Sequence, residues 1–240
     1  MNIINAGNII MNTYVYHCPH GYVMIDTGYE HSLRDVEAKL SRKGIKLSDI
    51  KYVFLTHAHD DHAGFLNELL GKNTDLKVIM SDKAIPTLKR GQNSFEGGCS
   101  TRLAWFFCKL MGLVGKAEHR FPVTEDQYDD RLIEITETNK AELEEILQGQ
   151  ILFTPGHTED SISLKVGNTI FCGDATMNDF PSIKRLIIWI EDKTAFERSW
   201  DVLLSEDADT IYPAHGTPFP ASDLAKYKHC ISKIHLYPLN

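Results

Sequence analysis

The sequence lacks most of the features that assign a chain quickly. No apolar run approaches the ~20 residues that a membrane-spanning helix needs. The opening residues, Met1-Asn2-Ile3-Ile4-Asn5, carry no basic region and no long apolar stretch, which predicts no signal peptide. The five cysteines, at 18, 99, 108, 172 and 230, are odd in number and include no Cys-x-x-Cys pair. That usage predicts reduced thiols in a cytoplasmic protein. Positive charge is also short, with 25 Lys and Arg against 33 Asp and Glu and a formal net charge of −8. Such a balance argues against a nucleic-acid polyanion as partner or substrate. There is no internal repeat and no low-complexity tract. What remains is an ordinary globular composition, 42% hydrophobic and 24% charged over 240 residues, enough for one substantial core.

Against these absences stands His57-Ala58-His59-Asp60-Asp61-His62. Three of the chain's 11 histidines lie in this hexapeptide. It follows the apolar β-type run Tyr52-Val53-Phe54-Leu55 and precedes Ala63-Gly64. Imidazoles and carboxylates concentrated at a strand end make a metal site that needs further ligands, because a catalytic zinc takes about three protein ligands and leaves a place for water. Three more strand ends have the same composition. His157 follows Phe153-Thr154-Pro155-Gly156, Asp174 follows Ile170-Phe171-Cys172-Gly173, and His215 follows Ile211-Tyr212-Pro213-Ala214. Each ends an apolar run beside Gly or Pro.

Taken in order, Ile25-Asp26-Thr27-Gly28, Thr56 to Gly64, Pro155-Gly156-His157-Thr158, Gly173-Asp174 and Ala214-His215-Gly216 resemble the metallo-β-lactamase fold superfamily over about residues 3 to 220. The resemblance implies an α/β fold, a four-layer αββα sandwich of two mixed β-sheets with outer helices. It implies a two-metal site in which His57, His59 and His157 hold one ion and Asp61, His62 and His215 the other. Asp174 would bridge both. Asp26 would orient ligands by hydrogen bonding, and Asp60 would have no ligand role and be solvated. All seven donors are nitrogen or oxygen, a set that suits two zinc ions and also admits iron or manganese. Two such ions lower the pKa of a shared water and polarise the bond to be cleaved. Asp61 and Asp174 are the carboxylates placed to accept a proton.

Within the superfamily the resemblance is to the glyoxalase II and lactonase branches, since His62 and Asp174 are both present. Position 59 is His, where the redox-active flavodiiron branch carries a carboxylate. Met177 stands where quorum-quenching lactonases have a tyrosine, and Gly216-Thr217-Pro218 follows His215 where glyoxalase II has Glu-Tyr-Thr. The expected activity is hydrolysis of a small ester, thioester or lactone. Two alternatives stay open, a phosphodiesterase on the same metal pair and a mononuclear-iron oxidoreductase of the persulfide-dioxygenase type. Cys172, two residues before Asp174, reads as a buried strand residue rather than a ligand.

The remaining pattern predicts a hairpin from Met11–Cys18 and Tyr22–Asp26, a helix over 32–44 with Leu33, Val36 and Leu40 on one face, and strands at 52–55, 78–80, 151–154, 162–166, 169–173 and 210–212. Further helices are expected near 63–70, 83–90 and 193–204. The chain reads as one domain, 1–240, with a helical insertion at about 91–131. Its segment 103–114 is apolar on nearly every side, which calls for a cover: core, a lid over the cleft, or a second subunit in a homodimer.

Overall fold

Alternating apolar residues and well-spaced turn signals produce short strands and amphipathic helices in the computed structural model, which describes residues 1–113 and 118–239. The chain divides into two compact units. The first comprises Met1–Asn93 and Arg120–Gln150, the second Ser94–His119 and Ile151–Asn240. Elements are numbered along the whole chain.

The first unit is built on a six-stranded sheet, β1 (Ile3–Asn5), β2 (Tyr14–Cys18), β3 (Gly21–Ile25), β4 (Ile50–Phe54), β5 (Lys77–Met80) and β7 (Leu132–Glu134), in that spatial order. Strands β1 to β3 are antiparallel, and β3, β4, β5 and β7 run parallel. The hairpin turns at Pro19-His20 and pairs Cys18 with Gly21. Its first strand begins at Tyr14 rather than Met11, because the amide of Asn8 bonds Met11 O at 2.8 Å and commits Met11 to the preceding turn. The parallel connections carry α1 (Leu33–Ser41) and α2 (Leu66–Lys72); α3 (Ile85–Arg90) and α5 (Lys140–Leu147) complete the unit. Helix α1 buries Leu33, Val36 and Leu40, the stripe its sequence spacing predicts. They pack with Leu66, Leu69 and Leu70 of α2 in one core cluster. At roughly 1.5–3 kcal/mol for each fully buried aliphatic side chain, this cluster dominates the unit's stability.

The second unit holds a five-stranded sheet in the order β13 (Phe219–Pro220), β12 (Thr210–Pro213), β10 (Thr169–Gly173), β9 (Ile162–Val166) and β8 (Gln150–Phe153). A separate ribbon pairs β6 (Gly98–Cys99) with β11 (Trp189–Ile190). Helix α6 (Lys193–Ser205) is capped by Asp192, whose carboxylate accepts from the amides of Thr194 and Ala195. It buries Phe196, Ser199, Trp200 and Leu203. Helix α7 (Ser222–Tyr227) adds Leu224 to the same core.

Helix α4 (Arg102–Leu113) departs from expectation. Of its residues only Ala104 is buried, while Leu103, Phe106, Leu110 and Leu113 are exposed. The apolar surface that called for a cover forms an open stripe at helical spacing, because the helix is tethered through its other side. Trp105 Nε1 donates to Pro238 O at 3.0 Å, and Lys109 Nζ donates to Leu239 O at 2.6 Å. Val114, the last residue of that expected helix, lies outside the described residues. Among the described residues no helix is long and apolar enough to cross a membrane.

Candidate metal centre

In the first unit, β4 ends at Phe54 and delivers Thr56 and the histidine motif into a loop closed by tight backbone packing. His57, His59 and His62 are buried, with 1%, 8% and 0% of their surface exposed. Their rings are packed closely, His57 and His59 edge-on with centroids 4.6 Å apart and His57 and His62 tilted with centroids 3.9 Å apart. Asp26 holds this arrangement. Its backbone sits at φ +55°, and its carboxylate accepts from Thr56 N at 2.7 Å, Thr56 Oγ1 at 2.8 Å and His62 Nδ1 at 2.8 Å. Thr27 adds two bonds to His62 O, from its amide at 2.8 Å and its hydroxyl at 2.6 Å. Gly64 is required by packing. A Cβ there would stand 2.3 Å from Asp60 O and 2.4 Å from Glu30 N, distances no side chain tolerates.

The second unit assembles its donors around one carboxylate. Asp174 Oδ2 lies 3.5 Å from His157 Nε2, and Asp174 Oδ1 lies 3.5 Å from His215 Nε2. All three residues are buried. Helix α6 fixes the loops that carry two of them. Ser199 Oγ donates to Pro155 O at 2.6 Å, and Trp200 Nε1 donates to Ala175 O at 2.8 Å. Gly156, at φ +132°, runs so close to α6 that a Cβ would meet Phe196 N at 2.2 Å. Asn178 N donates to His215 O at 2.9 Å and ties in the third loop.

Two tautomers follow from the partners. Trp189 O, 2.8 Å from His157 Nδ1, can only accept, so Nδ1 carries a proton, and in the neutral ring the lone pair sits on Nε2, 3.5 Å from Asp174 Oδ2. The Asp26 carboxylate likewise accepts a hydrogen bond from His62 Nδ1, which in the neutral ring leaves the lone pair on Nε2, 3.8 Å from Asp61 Oδ1. The donor set fits a metal ion on geometry as well. His57 Nε2 and His59 Nδ1 are 3.2 Å apart. Two nitrogens on one tetrahedral ion, with bonds of about 2.0–2.1 Å, stand about 3.3 Å apart.

Each expected site residue is thus placed: His57, His59, Asp61 and His62 converge in the first unit, and His157, Asp174 and His215 in the second. Asp60 is corrected. It is not simply solvated, since its amide donates to Asn93 Oδ1 at 2.9 Å and its carboxylate accepts from Asn93 Nδ2 at 2.7 Å. Asn93, some 30 positions on, gave no sequence signal for this pairing. Nor did Trp189, which acts through a backbone carbonyl. Cys172 is buried in β10, and burial, the largest influence, pushes its thiol up to about 12. Glu191 was also missed. Its carboxylate accepts from Glu159 N at 3.2 Å, its amide donates to Gly156 O at 2.9 Å, and burial raises its pKa.

The sequence model of the metallo-beta-lactamase superfamily matches residues 9–215. A beta-lactamase-like protein 2 homolog of Caenorhabditis elegans is 24% identical over 207 residues, 85% of this chain. The chain spans only 55% of that relative's length. A probable metallo-hydrolase of Bacillus subtilis is 25% identical over 83% of this chain and 67% of its own. Among solved structures, the S60 mutant of a metallo-β-lactamase of Cronobacter sakazakii with a HARLDQ motif superposes with a TM-score of 0.66 at 19% identity, covering 96% of this chain and 89% of the other. An archaeal superfamily protein from Sulfolobus tokodaii gives a TM-score of 0.61 at 22% identity, covering 95% and 84%. The fold class is therefore the α/β sandwich of mixed sheets and helices that the sequence resemblance implied. A match through every motif loop from Asp26 to His215 places this chain in the metallo-β-lactamase superfamily, whose members are mostly metal-dependent hydrolases.

Proposed function

We propose that His57, His59, Asp61, His62, His157, Asp174 and His215 together hold two divalent metal ions, zinc first, and that the chain hydrolyses a small ester, thioester or lactone in the cytoplasm. In this reading His57, His59 and His157 serve one ion, Asp61, His62 and His215 serve the other, and Asp174 serves both. The observation that carries it is the two-faced carboxylate of Asp174, with each oxygen 3.5 Å from a different imidazole. A carboxylate so disposed suits two cations better than one. The Bacillus subtilis relative, named a probable metallo-hydrolase, supports the same class.

Bound divalent ions would supply Lewis acidity, bringing a water's pKa near neutrality and polarising the acyl oxygen. The chain's own groups do the rest. Asp26 and Trp189 O hold the protons of His62 and His157 on Nδ1, so that Nε2 stays available. Asp61 or Asp174 takes the proton that the attacking water gives up and returns it to the departing oxygen or sulfur.

The test is metal content per chain by mass spectrometry, with a hydrolysis screen over thioesters, lactones and phosphodiesters. The expected result is two ions and acyl-ester or thioester cleavage. Asp174→Ala should lose more activity than the ~10–100-fold typical of changing a residue behind the ligands. One iron per chain with no hydrolysis would instead favour the oxygenase alternative, and phosphodiester cleavage alone would move the substrate class.

A further inference from the structure

The second unit contains a cavity of about 330 Å³ whose lining includes none of the three donors His157, Asp174 and His215. Three stretches of chain build it, 100–102, 183–186 and 229–237. Its wall carries Arg102, Lys184, His229, Lys233 and His235, and no Asp or Glu. In a chain with 33 acidic and 25 basic residues, a wall of this composition runs against the overall charge. Among the described residues, none of Arg102, Lys184 and Lys233 has an ion-pair partner. Neighbouring cations elsewhere are neutralised: Arg185 bonds Asp223 Oδ2 through Nε at 3.0 Å and Nη2 at 2.7 Å, and Lys228 pairs with Asp201.

The cavity is also held in shape. Tyr237 is part of its lining, with the Arg102 guanidinium 6.0 Å from its ring centroid and the His235 ring edge-on at 5.1 Å. The backbone of Tyr237 is clamped to Cys99 by two hydrogen bonds of 2.9 and 3.0 Å. Lys184 sits at φ +60°, with Arg185 next to it at φ +64°. Two consecutive non-glycine residues in the left-handed region are strained, and such strain gathers where a side chain must be aimed. Ile183, Leu186 and Ile234 supply an apolar part of the wall.

We infer that this cavity binds a small organic phosphate, a phosphate monoester with an apolar portion. The basic groups would take the dianion, and Ile183, Leu186 and Ile234 the remainder. A volume of about 330 Å³ is roughly ten times the ~30 Å³ share of one water, so it exceeds what a bare phosphate fills. It falls at the small end of the ~300–1,000 Å³ typical of ligand pockets.

The test titrates the full, metal-replete chain with phenyl phosphate, inorganic phosphate, phenol and a single-stranded oligonucleotide by calorimetry. Phenyl phosphate should bind at least tenfold more tightly than inorganic phosphate or phenol. The double variant Arg102→Ala/Lys233→Ala, which changes two exposed side chains, should lose at least tenfold of that affinity while keeping its metal content and Tm. Asp174→Ala should retain the affinity, which separates this site from the metal centre. If Asp174→Ala abolishes binding and the double variant does not, the phosphate goes to the metals and the inference falls. It falls equally if phenyl phosphate fails to bind, or if the oligonucleotide outcompetes it.

Discussion

At the scale of single residues, the structure separates groups that the motif places side by side. Asp60 and Asp61 are adjacent, yet Asp60 spends its carboxylate on Asn93 while Asp61 lies beside His62 Nε2. Asp60→Ala should therefore cost ~1–2 kcal/mol of stability through the lost bonds, lowering Tm by a few degrees, and leave metal content unchanged. A calorimetric scan paired with metal analysis checks both halves; loss of metal would show that Asp60 is a ligand. Asp26→Ala should act the other way, removing the acceptor of His62 Nδ1 and weakening metal affinity by ~10–100-fold. The cysteines divide just as sharply. A hydrogen bond from Cys99 lowers the pKa of the half-buried Cys108, whereas burial raises that of Cys172. Brief iodoacetamide treatment followed by peptide mass mapping should find Cys108 alkylated well before Cys172 and Cys99. Equal labelling would contradict the burial of Cys172 and Cys99.

Among the elements, α6 and α4 sit at opposite extremes. Trp200 is wholly buried and its indole holds the loop of Asp174, so Trp200→Ala should cost ~3–5 kcal/mol and lower activity in whatever protein remains folded. Phe106 on α4 is 63% exposed, and Phe106→Ser should change stability by no more than ~0.5 kcal/mol. Urea titrations of the two variants rank them, and a large loss from Phe106→Ser would mean that the stripe is covered in solution. The same contrast explains what could be read in advance. The hairpin, α1, β9 and β10 were legible because each carries several residues of clean period between turn signals. Strands β6 and β11 were not, since two residues show no period and their pairing partner is far along the chain. Exposure of the α4 stripe could not be read either. Hydrophobicity states what a helix would gain by burial, and the chain's own packing decides whether burial happens.

For the whole molecule, the loops that carry the proposed ligands were visible in the sequence because they stand at strand ends in a fixed order. The supports behind them, Asn93, Trp189 O and Trp200, meet their partners only through folding. The division into units was equally hidden. Residues 94–119 lie between two stretches of the first unit, yet belong with the second. Metal removal belongs at this scale. If the seven proposed donors are saturated, stripping with a chelator should lower Tm, by the equivalent of ~4 kcal/mol for each ion held at about a thousand times its dissociation constant. A melting curve unchanged by the chelator would count against tight binding.

The interleaving of the units has a consequence for the order in which the chain is made. Everything in the first unit has been synthesised once Gln150 is complete, and its sheet can close at that point. Cys99 cannot do the same. Its strand partner is Trp189 and its backbone clamp is Tyr237, so the segment around it emerges long before anything exists to receive it. At roughly 5–20 residues per second, the ribosome leaves that stretch waiting for seconds. Through that interval α4 carries its row of Leu and Phe side chains on a segment without its anchor. A chaperone that recognises nascent apolar chain would find its opening there, between the closing of one unit and the arrival of Tyr237, Pro238 and Leu239 in the other.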